Sequence, residues 1–258
     1  MTDSVRAWHP DVPLVREVLH ATFDHHAYPL HTHDDWTVLL VDEGAVTYDL
    51  EGTAHGALPG AITILPPGVP HDGRSAVSGR GFRKRVLYLD AGWLPDRCIG
   101  AAARNPTIPG GSALAVVDEL HDALGSPGDA LAAETAVLSL ADTIRRRLGT
   151  SPDRRPDAPL ARRLRTLLDE RLSEPVTIAG AAEELGVHPS HLVRAFSDAY
   201  GIPPHRYVTS RRVDAARRLI ARGTSIADAA VTVGFHDQAH LSRHFRRILG
   251  TTPGAFAA

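Results

Sequence analysis

An internal repeat in residues 160–258 constrains the fold more than any other feature of the chain. The segment Thr177-Ile-Ala-Gly-Ala-Ala recurs 48 residues later as Ser225-Ile-Ala-Asp-Ala-Ala, and Gly186 recurs as Gly234 at the same offset. Beyond these glycines the offset is 49, for the pairs Leu192 and Leu241, Arg194 and Arg243, Phe196 and Phe245, Gly201 and Gly250, and Pro204 and Pro253. One residue has been added in the turn of the second copy, and both copies are expected to fold alike.

Each copy has the pattern of a helix, a glycine turn and a second helix. Thr177 and Ser225 are good N-caps because their hydroxyls accept hydrogen bonds from exposed backbone N–H groups, and Ser225 with Asp228 resembles a capping box. Gly186 and Gly234 suit the left-handed position that ends a helix. The pattern predicts two helix-turn-helix units, each with a second helix that enters the major groove of DNA. An ordinary helical hairpin that binds nothing has the same pattern.

Charge is distributed unevenly along the 258-residue chain. The formal net charge is −2, but residues 160–258 contain 14 Arg and 9 Asp or Glu, whereas residues 1–159 contain 14 basic and 21 acidic residues. A basic C-terminal part is typical of a domain that meets a polyanion, although a solvated helical surface has the same composition. Lys84 is the only lysine, and the sequence alone assigns it no function.

Residues 112–148 have helical periodicity in two series. Gly125-Ser-Pro-Gly128 separates Leu114, Val117, Leu120 and Leu124 from Val137, Ala141, Ile144 and Leu148. The 4-3-4 spacing of the second series suits a seam between helices. The segment 149–159, with three prolines and no apolar periodicity, is the best candidate for a linker.

Residues 18–90 have the pattern of β-strands. Short apolar runs alternate with Gly, Pro and Asp turns, in Thr37–Val41, Ala45–Leu50, Ile62–Leu65 and Val86–Leu89. Short strands at regular spacing predict a sandwich or a barrel.

Several short segments accompany the C-terminal repeat. They are Thr177-Ile-Ala, Leu192-Val-Arg-Ala-Phe, Arg211-Arg-Val-Asp-Ala-Ala-Arg-Arg-Leu-Ile220, Ser225-Ile-Ala-Asp-Ala-Ala, Gly234-Phe, Phe245-Arg-Arg and Thr252-Pro. With these segments, residues 160–256 resemble the DNA-binding domain of the AraC/XylS family of transcription regulators. The resemblance covers about two-fifths of the chain and implies two recognition helices in successive major grooves on one face of the DNA.

The resemblance also implies which residues meet DNA. The first reading surface holds Ser190, His191, Val193 and Arg194, and the second holds Gln238, His240, Ser242 and Arg243. Arginine donates two hydrogen bonds to guanine, and glutamine pairs with adenine. Arg217 and Arg218, on the connecting helix, are predicted to contact phosphate. His188 and His236 stand where a Ser or Thr cap is usual, which leaves the start of each second helix open by one residue.

In the β region, His31-Thr-His33 and Gly44 precede the segment Gly60-Ala-Ile-Thr-Ile-Leu-Pro-Pro-Gly-Val-Pro-His71. This spacing resembles the cupin motifs of a double-stranded β-barrel, in the version that senses effectors in AraC-like regulators. The resemblance implies an effector site near His31, His33 and His71. Metal-binding cupins add a Glu, but Thr37 or Val38 stands at that position. Three imidazoles can bind zinc or another divalent metal, or they can line a pocket without metal.

Three classes of function fit these motifs. The first is a transcription regulator that responds to a small-molecule or metal effector, and the second is a cupin-type metalloenzyme fused to a DNA-binding domain. The third is an architectural DNA-binding protein without an effector. The missing Glu argues against the metalloenzyme. The resemblance favours the regulator, together with a homodimer built on residues 112–148 and contact with RNA polymerase if the protein is an activator.

The chain as a whole is expected to be a two-domain α+β protein. Residues 1–111 form a cupin-like, effector-sensing β-barrel with helices, 112–148 a helical dimerisation region, 149–159 a linker, and 160–258 an all-α domain of two helix-turn-helix units. A single cysteine, Cys98, rules out a disulfide framework. With no signal-type apolar run at the start and no stretch of ~20 apolar residues, we expect a soluble cytoplasmic protein without a membrane partner.

Overall fold

A computed structural model describes residues 3–77, 79–150 and 156–257 of the chain. Residues 151–155, the middle of the expected linker, lie outside the described residues. The chain divides into two compact units, one made of Met1–Glu119 and Leu140–Asp153 and the other of Leu120–Ser139 and Arg154–Ala258. The predicted region 112–148 is therefore shared between the two units. Among the described residues, no helix is long and apolar enough to span a membrane.

The first unit is built on two antiparallel sheets. The described strands are β1 (Ser4–Trp8), β2 (Val15–Phe23), β3 (Ala27–His31), β4 (Trp36–Glu43), β5 (Val46–Leu50), β6 (Thr53–Ala57), β7 (Ala61–Leu65), β8 (His71–Ser75), β9 (Phe82–Leu89) and β10 (Thr107–Pro109). One sheet has the order β1-β2-β9-β4-β7-β10, and the other has the order β3-β8-β5-β6. The four apolar runs expected to be strands lie in β4, β5, β7 and β9.

Alternation along the strands produces two buried faces in this unit. On β9, Phe82 and Val86 belong to an apolar cluster that also contains residues of β2, β4, β5 and β7, and Lys84 and Tyr88 share their side of the strand. Leu87, on the opposite side, is also fully buried. A strand that is covered on both faces has few polar positions, so a buried lysine on β9 requires an explanation.

The helices follow the expected periodicity. They are α1 (Ile99–Arg104), α2 (Ser112–Leu124), α3 (Ala130–Arg147), α4 (Ala158–Glu170), α5 (Ile178–Leu185), α6 (Pro189–Tyr200), α7 (Pro204–Ala221), α8 (Ile226–Thr232), α9 (Gln238–Leu249) and α10 (Pro253–Ala257). Gly125-Ser-Pro-Gly128 separates α2 from α3, as predicted. Val137, Ala141 and Ile144 are at most 1% exposed within the single chain. The seam proposed to join two chains is thus already covered in one chain.

The second unit contains both repeat copies. The first copy consists of α5 and α6, the second of α8 and α9, and α7 connects them. In the second copy, residues of α7, α8 and α9 form one buried core that includes Val213, Ala229, Leu241 and Phe245. Small alanines on α8 allow the helices to approach closely, which explains the Ala-rich pattern of both copies.

Candidate functional site

The first helix-turn-helix unit begins and turns as its sequence predicts. The Thr177 hydroxyl accepts from the Gly180 N–H at 3.1 Å, and Gly186 ends α5 with φ of 70°. Helix α6 then begins at Pro189, capped by the His188 side chain, which accepts from the Ser190 N–H at 3.2 Å. Histidine thus replaces the usual hydroxyl cap.

The four predicted reading residues of α6 divide into two pairs. Ser190 and Val193 are buried, at 6% and 3% exposure. His191 and Arg194 are half-buried, with an Arg194 nitrogen 3.0 Å from Nδ1 of His191, and Nε2 of His191 lies 3.1 Å from the Asp157 carboxylate. In this conformation only His191 and Arg194 are accessible to a base edge.

The second unit differs from the first at the start of its second helix. Asp237 caps α9 by accepting from the His240 N–H at 2.7 Å, and the helix starts at Gln238. Asp237 corresponds to His188 at the offset of 49, so the added residue lies between Gly234 and Asp237. Gln238 and Arg243 are exposed on α9, Ser242 is half-buried, and His240 is 5% exposed.

Asp129, from the loop between α2 and α3, binds the side chains of α9. One carboxylate oxygen lies 2.9 Å from Nε2 of His240 and 3.1 Å from Nε2 of His244, and the other accepts from Arg243 at 2.6 Å. Burial alone would raise the pKa of the Asp129 carboxyl, but the hydrogen bonds from His240 and His244 outweigh it and hold the pKa well below its usual range. Two predicted base-reading side chains are thereby engaged by a carboxylate.

Gly128 makes this approach of the loop possible. Its φ is +87°, and a Cβ at this position would lie 2.6 Å from Nδ1 of His240 and 2.7 Å from Cβ of His236. Glycine is the residue that tolerates both the left-handed backbone and the absence of space for a side chain. The contact between the loop and α9 therefore depends on this residue.

Asp129, His240 and His244 also have the composition of a metal site. Their ligand atoms lie within 4.8 Å of one another, a property that no other group of three such residues has in the part of the chain that the structure describes. However, the His236 N–H donates to Nδ1 of His240 at 3.2 Å, so Nδ1 carries no proton and Nε2 is the protonated nitrogen that faces Asp129. Hydrogen bonds therefore already satisfy the imidazole of His240.

A second carboxylate from the same segment caps the first unit. The two oxygens of Glu134 accept from the N–H groups of Ile178 and Ala179, each at 2.7 Å, at the start of α5. Glu134 is 3% exposed. Burial raises the pKa of Glu134 even though the two backbone N–H groups favour the ionised form. The carboxylate occupies the kind of helix N-terminus that attracts phosphate.

Arg217 and Arg218 lie on α7 and share one carboxylate. Arg217 donates to Asp214 at 3.0 Å, and Arg218 contacts the other oxygen of Asp214. Their side chains remain 42% and 51% exposed. Exposed ion pairs of this type contribute little to stability, so both guanidiniums remain available to phosphate.

Three predicted effector residues line a cavity between the two sheets of the first unit. The cavity of about 60 Å³ is lined by Tyr28, His31, His33, Thr37, Leu39, Val46, Tyr48, Leu65, His71, Asp72, Gly73, Phe82, Lys84, Val86 and Tyr88. His31 and His71 face each other across β3 and β8, with ring centroids 4.5 Å apart, and His33 lies 4.8 Å from His71 and 6.1 Å from His31. The i, i+2 spacing of His31 and His33 would place both side chains on one face of a strand, but β3 ends at His31 and His33 lies in the loop that follows.

Backbone carbonyls orient all three imidazoles. Nδ1 lies 2.8 Å from the Pro29 oxygen in His31, 2.8 Å from the Asp35 oxygen in His33 and 2.9 Å from the Val69 oxygen in His71. A carbonyl can only accept, so each Nδ1 carries a proton, and in the neutral ring Nε2 is then the atom with the lone pair. Burial lowers the pKa of His33 and of His71, which keeps both rings neutral at neutral pH.

Lys84 adds a charge to this cavity. Its ammonium lies 4.1 Å from the centre of the Tyr28 ring, and the residue is 9% exposed. Burial lowers the pKa of the Lys84 ammonium to about 8 and raises the pKa of the Tyr28 hydroxyl to about 12. Lys84 was not among the predicted site residues, although its place between Phe82 and Val86 on one side of a strand marks it as an inward-facing cation.

Asp129 and Glu134 were also absent from the predicted sites. Both form hydrogen bonds with helices that come much later in the chain. Glu134 bonds to residues 44 and 45 positions away, and Asp129 bonds to residues more than 110 positions away. The residues next to Glu134 and Asp129 in the sequence form no motif that predicts these hydrogen bonds. Gly128 next to Asp129, in a Gly-Ser-Pro-Gly turn, was the one available hint of a close approach.

Comparison with known proteins agrees with both halves of the structure. A model of the AraC-like ligand binding domain matches residues 13–141, half of the chain, and a helix-turn-helix domain model matches residues 181–258. The uncharacterized HTH-type transcriptional regulator YbfI of Bacillus subtilis is 25% identical over 231 residues, which span 83% of this chain and 81% of that protein. The HTH-type transcriptional activator RhaS of Pectobacterium atrosepticum is 24% identical over 243 residues, 88% of this chain and 86% of that protein.

Solved structures resemble the chain more distantly. The DNA-binding domain of AdpA in complex with a target DNA aligns at 28% identity over 39% of this chain and 91% of that one, with a TM-score of 0.36. The AraC-like transcriptional activator CuxR aligns at 18% identity over 89% of this chain and 84% of that one, with a TM-score of 0.45. The two domain matches, rather than these alignments, decide the assignment: the chain belongs to the AraC/XylS family of DNA-binding transcription regulators and carries the family's N-terminal ligand-binding domain.

Proposed function

We propose that this regulator changes its DNA binding when a small molecule or a metal enters the cavity beside His31, His33 and His71. The observation that carries the proposal is the common orientation of the three imidazoles. Each is fixed through Nδ1 by a backbone carbonyl, which leaves Nε2 as the atom that can accept from a ligand. Nε2 of His33 already accepts from the Thr37 hydroxyl at 3.0 Å, so a ligand would displace or share that hydrogen bond. Converging polar groups in an otherwise apolar cavity are the usual mark of a binding site.

The proposal is tested with the double substitution His31→Ala and His71→Ala. Promoter fragments bound by the full chain are first mapped across the genome, and one of them drives a reporter in cells grown on different carbon sources. We expect the double variant to bind the isolated fragment as the wild type does but to lose the change in reporter output between growth conditions. A variant that keeps its full response removes these histidines from sensing.

For a metal effector, zinc or another divalent ion would need all three imidazoles neutral. Thr37 stands where metal-binding cupins have Glu, and its hydroxyl lies 3.0 Å from Nε2 of His33. Because burial lowers the pKa of His33 and His71, zinc affinity should persist below pH 6.5 and fall only in more acidic solution. Elemental analysis of protein purified without a metal-affinity tag, followed by zinc titration against a competing dye, tests this alternative.

We propose that α6 and α9 read bases in two successive major grooves, about 34–36 Å apart. The exposed Gln238 and Arg243 support this assignment for α9, and His191 and Arg194 for α6. Arg243→Ala should cost about 1–3 kcal/mol at the selected site and relax the base preference there, measured by binding to a set of single-base variants. An equal loss on random DNA would make Arg243 a phosphate contact.

We propose no enzymatic activity, because a neutral Thr37 hydroxyl bound to His33 replaces the carboxylate that catalytic cupins use. A homodimer, contact with RNA polymerase on activation, and action in the cytoplasm, where the target DNA lies, complete the proposal. Turnover of a substrate in the presence of added zinc would favour the metalloenzyme instead.

A further inference from the structure

We infer that the ligand of the barrel cavity carries one carboxylate group, and that Lys84 binds it. The inference rests on the proposed function, since it names the chemical class of the ligand for the same cavity. Lysine and arginine are distributed differently in this chain. The chain has 28 basic residues, and its single lysine lies in this cavity rather than on the surface.

The position of Lys84 leaves its ammonium without an anionic partner. The side chain contacts two aromatic rings, with Nζ 4.1 Å from the centre of Tyr28 and 6.0 Å from that of Phe23. No carboxylate forms an ion pair with Lys84 among residues 3–77, 79–150 and 156–257. Burying a charge has a large desolvation free energy unless the charge is paired and hydrogen-bonded. Cation–π contacts offset only a part of that free energy.

Asp72, which lines the cavity with Lys84, and Asp42, on the neighbouring strand β4, both have other partners. Asp72 lines the cavity, but one of its oxygens accepts from the Asp49 N–H at 2.6 Å and the other faces Arg74 at 3.4 Å. Asp42 pairs with Arg85 at 2.7 Å on the other side of β9. The cavity therefore holds one positive charge that the described residues do not neutralise.

The other polar groups of the cavity define the rest of the ligand. His33 and His71 are neutral, so their Nε2 atoms can accept but not donate, and Nε2 of His33 already accepts from the Thr37 hydroxyl. Leu39, Val46, Leu65 and Val86 supply apolar walls. One ammonium balances one negative charge, which favours a monocarboxylate over a doubly charged phosphate, and a cavity of about 60 Å³ admits a compact molecule.

The single lysine gives a direct test on the full chain. Protein labelled with ζ-¹⁵N lysine has one side-chain signal, and its pH titration reports the protonation of Lys84 alone. The probes are acetate, propionate and benzoate, each with its neutral amide, and inorganic phosphate. We expect at least one carboxylate to raise the apparent pKa of Lys84 so that its proton is held at least tenfold more tightly, whereas the matched amide has no effect.

Two variants distinguish the effect of removing the Lys84 charge from an effect on folding. Lys84→Met removes the ammonium with little change in volume and should weaken binding of the responding carboxylate at least tenfold by calorimetry. Arg83→Met, which removes an outward-facing cation from the same strand, should leave that binding unchanged. If Lys84→Met does not fold, Lys84→Arg keeps the charge and should retain carboxylate selectivity over the amide.

Three results would overturn the inference. They are a Lys84 signal that no carboxylate moves, a carboxylate that binds Lys84→Met as tightly as wild type, and a preference for inorganic phosphate over every carboxylate. If neutral amides bind in the cavity and Lys84→Met does not affect them, the ligand class is wrong while the cavity remains the effector site. The His31 and His71 double variant tests the effector site itself independently.

Discussion

At the scale of single residues, Lys84 has an energetic cost that can be measured without any ligand. Burial lowers the pKa of its ammonium from 10.5 to about 8, so the unfolded chain holds this proton more tightly than the folded protein. Stability is reduced at pH values below 8 and recovers as pH rises from 8 to 10.5. The full difference corresponds to about 3 kcal/mol.

We therefore predict that Lys84→Met is more stable than the wild type at pH 7, by up to about 3 kcal/mol, and that this advantage shrinks as pH rises towards 10. Urea unfolding at a series of pH values measures both effects. Arg83→Met is the matched control, because a guanidinium does not titrate in this range. A stability difference independent of pH would mean that Lys84 is charged and well solvated in the folded protein.

Arg217 and Arg218 make a different prediction at the same scale, because both are exposed and share Asp214. If either contacts phosphate, its replacement by Ala should weaken binding to specific and random DNA equally. The slope of log affinity against log salt should also fall by about one. Binding isotherms at four or more salt concentrations give the slope. Unchanged slopes for both variants would mean that neither Arg217 nor Arg218 contacts phosphate.

At the scale of elements, the loop between α2 and α3 engages side chains of α9 that we propose read DNA bases. Asp129 accepts from Arg243 at 2.6 Å and from His240 at 2.9 Å, and these are two of the predicted base-reading side chains. Charge-assisted hydrogen bonds are among the stronger ones in proteins. We predict that Asp129→Asn binds its DNA site about tenfold more tightly, equivalent to ~1.4 kcal/mol, as measured by fluorescence anisotropy.

The control for this prediction is Asp122→Asn, which makes the same change of charge at an exposed position of α2. Equal gains in both variants would indicate a general effect of charge on DNA binding. Weaker DNA binding by Asp129→Asn, with a lower melting temperature, would mean that Asp129 supports the fold of α9 instead of competing with DNA.

Elements whose signals are local could be predicted from the sequence, and elements fixed by distant contacts could not. Thr177 and Ser225 cap their helices as expected, since a cap depends on three neighbouring residues. Helix α9 starts at Gln238, 49 residues after the start of α6, with Asp237 rather than His236 as its cap. His33 lies outside β3, and its hydrogen bonds go to loop residues: Nδ1 donates to the Asp35 carbonyl, and its carbonyl accepts from the Gly68 N–H. Glu134 had no local signal, and Asp129 had only the neighbouring Gly128 in a tight turn.

At the scale of the whole molecule, the chain has the two-part organisation expected from the sequence, and the limits of the dimerisation region and of the linker remain predictions. A linker was expected at 149–159 and a separate dimerisation region at 112–148, whereas Leu120–Ser139 belongs to the same compact unit as both helix-turn-helix copies. The contacts of Glu134 with α5 and of Asp129 with α9 explain this assignment. Periodicity reveals that a helix has an apolar face, but it does not reveal which surface covers that face.

The apolar face of α3 can be tested by introducing a charge at Ile144. Ile144 is fully buried within one chain and Val137 likewise, so a charge at this position would be placed in an apolar core rather than at a boundary between subunits. We predict that Ile144→Asp lowers the free energy of unfolding by roughly 3–5 kcal/mol, seen in urea titration. Arg147→Asp, at an exposed position of the same helix, should have little effect on stability. Light scattering on both variants then separates folding from assembly. A folded, monomeric Ile144→Asp beside a dimeric wild type would restore the intermolecular seam, whereas loss of stability at unchanged assembly would assign the face to the core and any dimer contact to another surface.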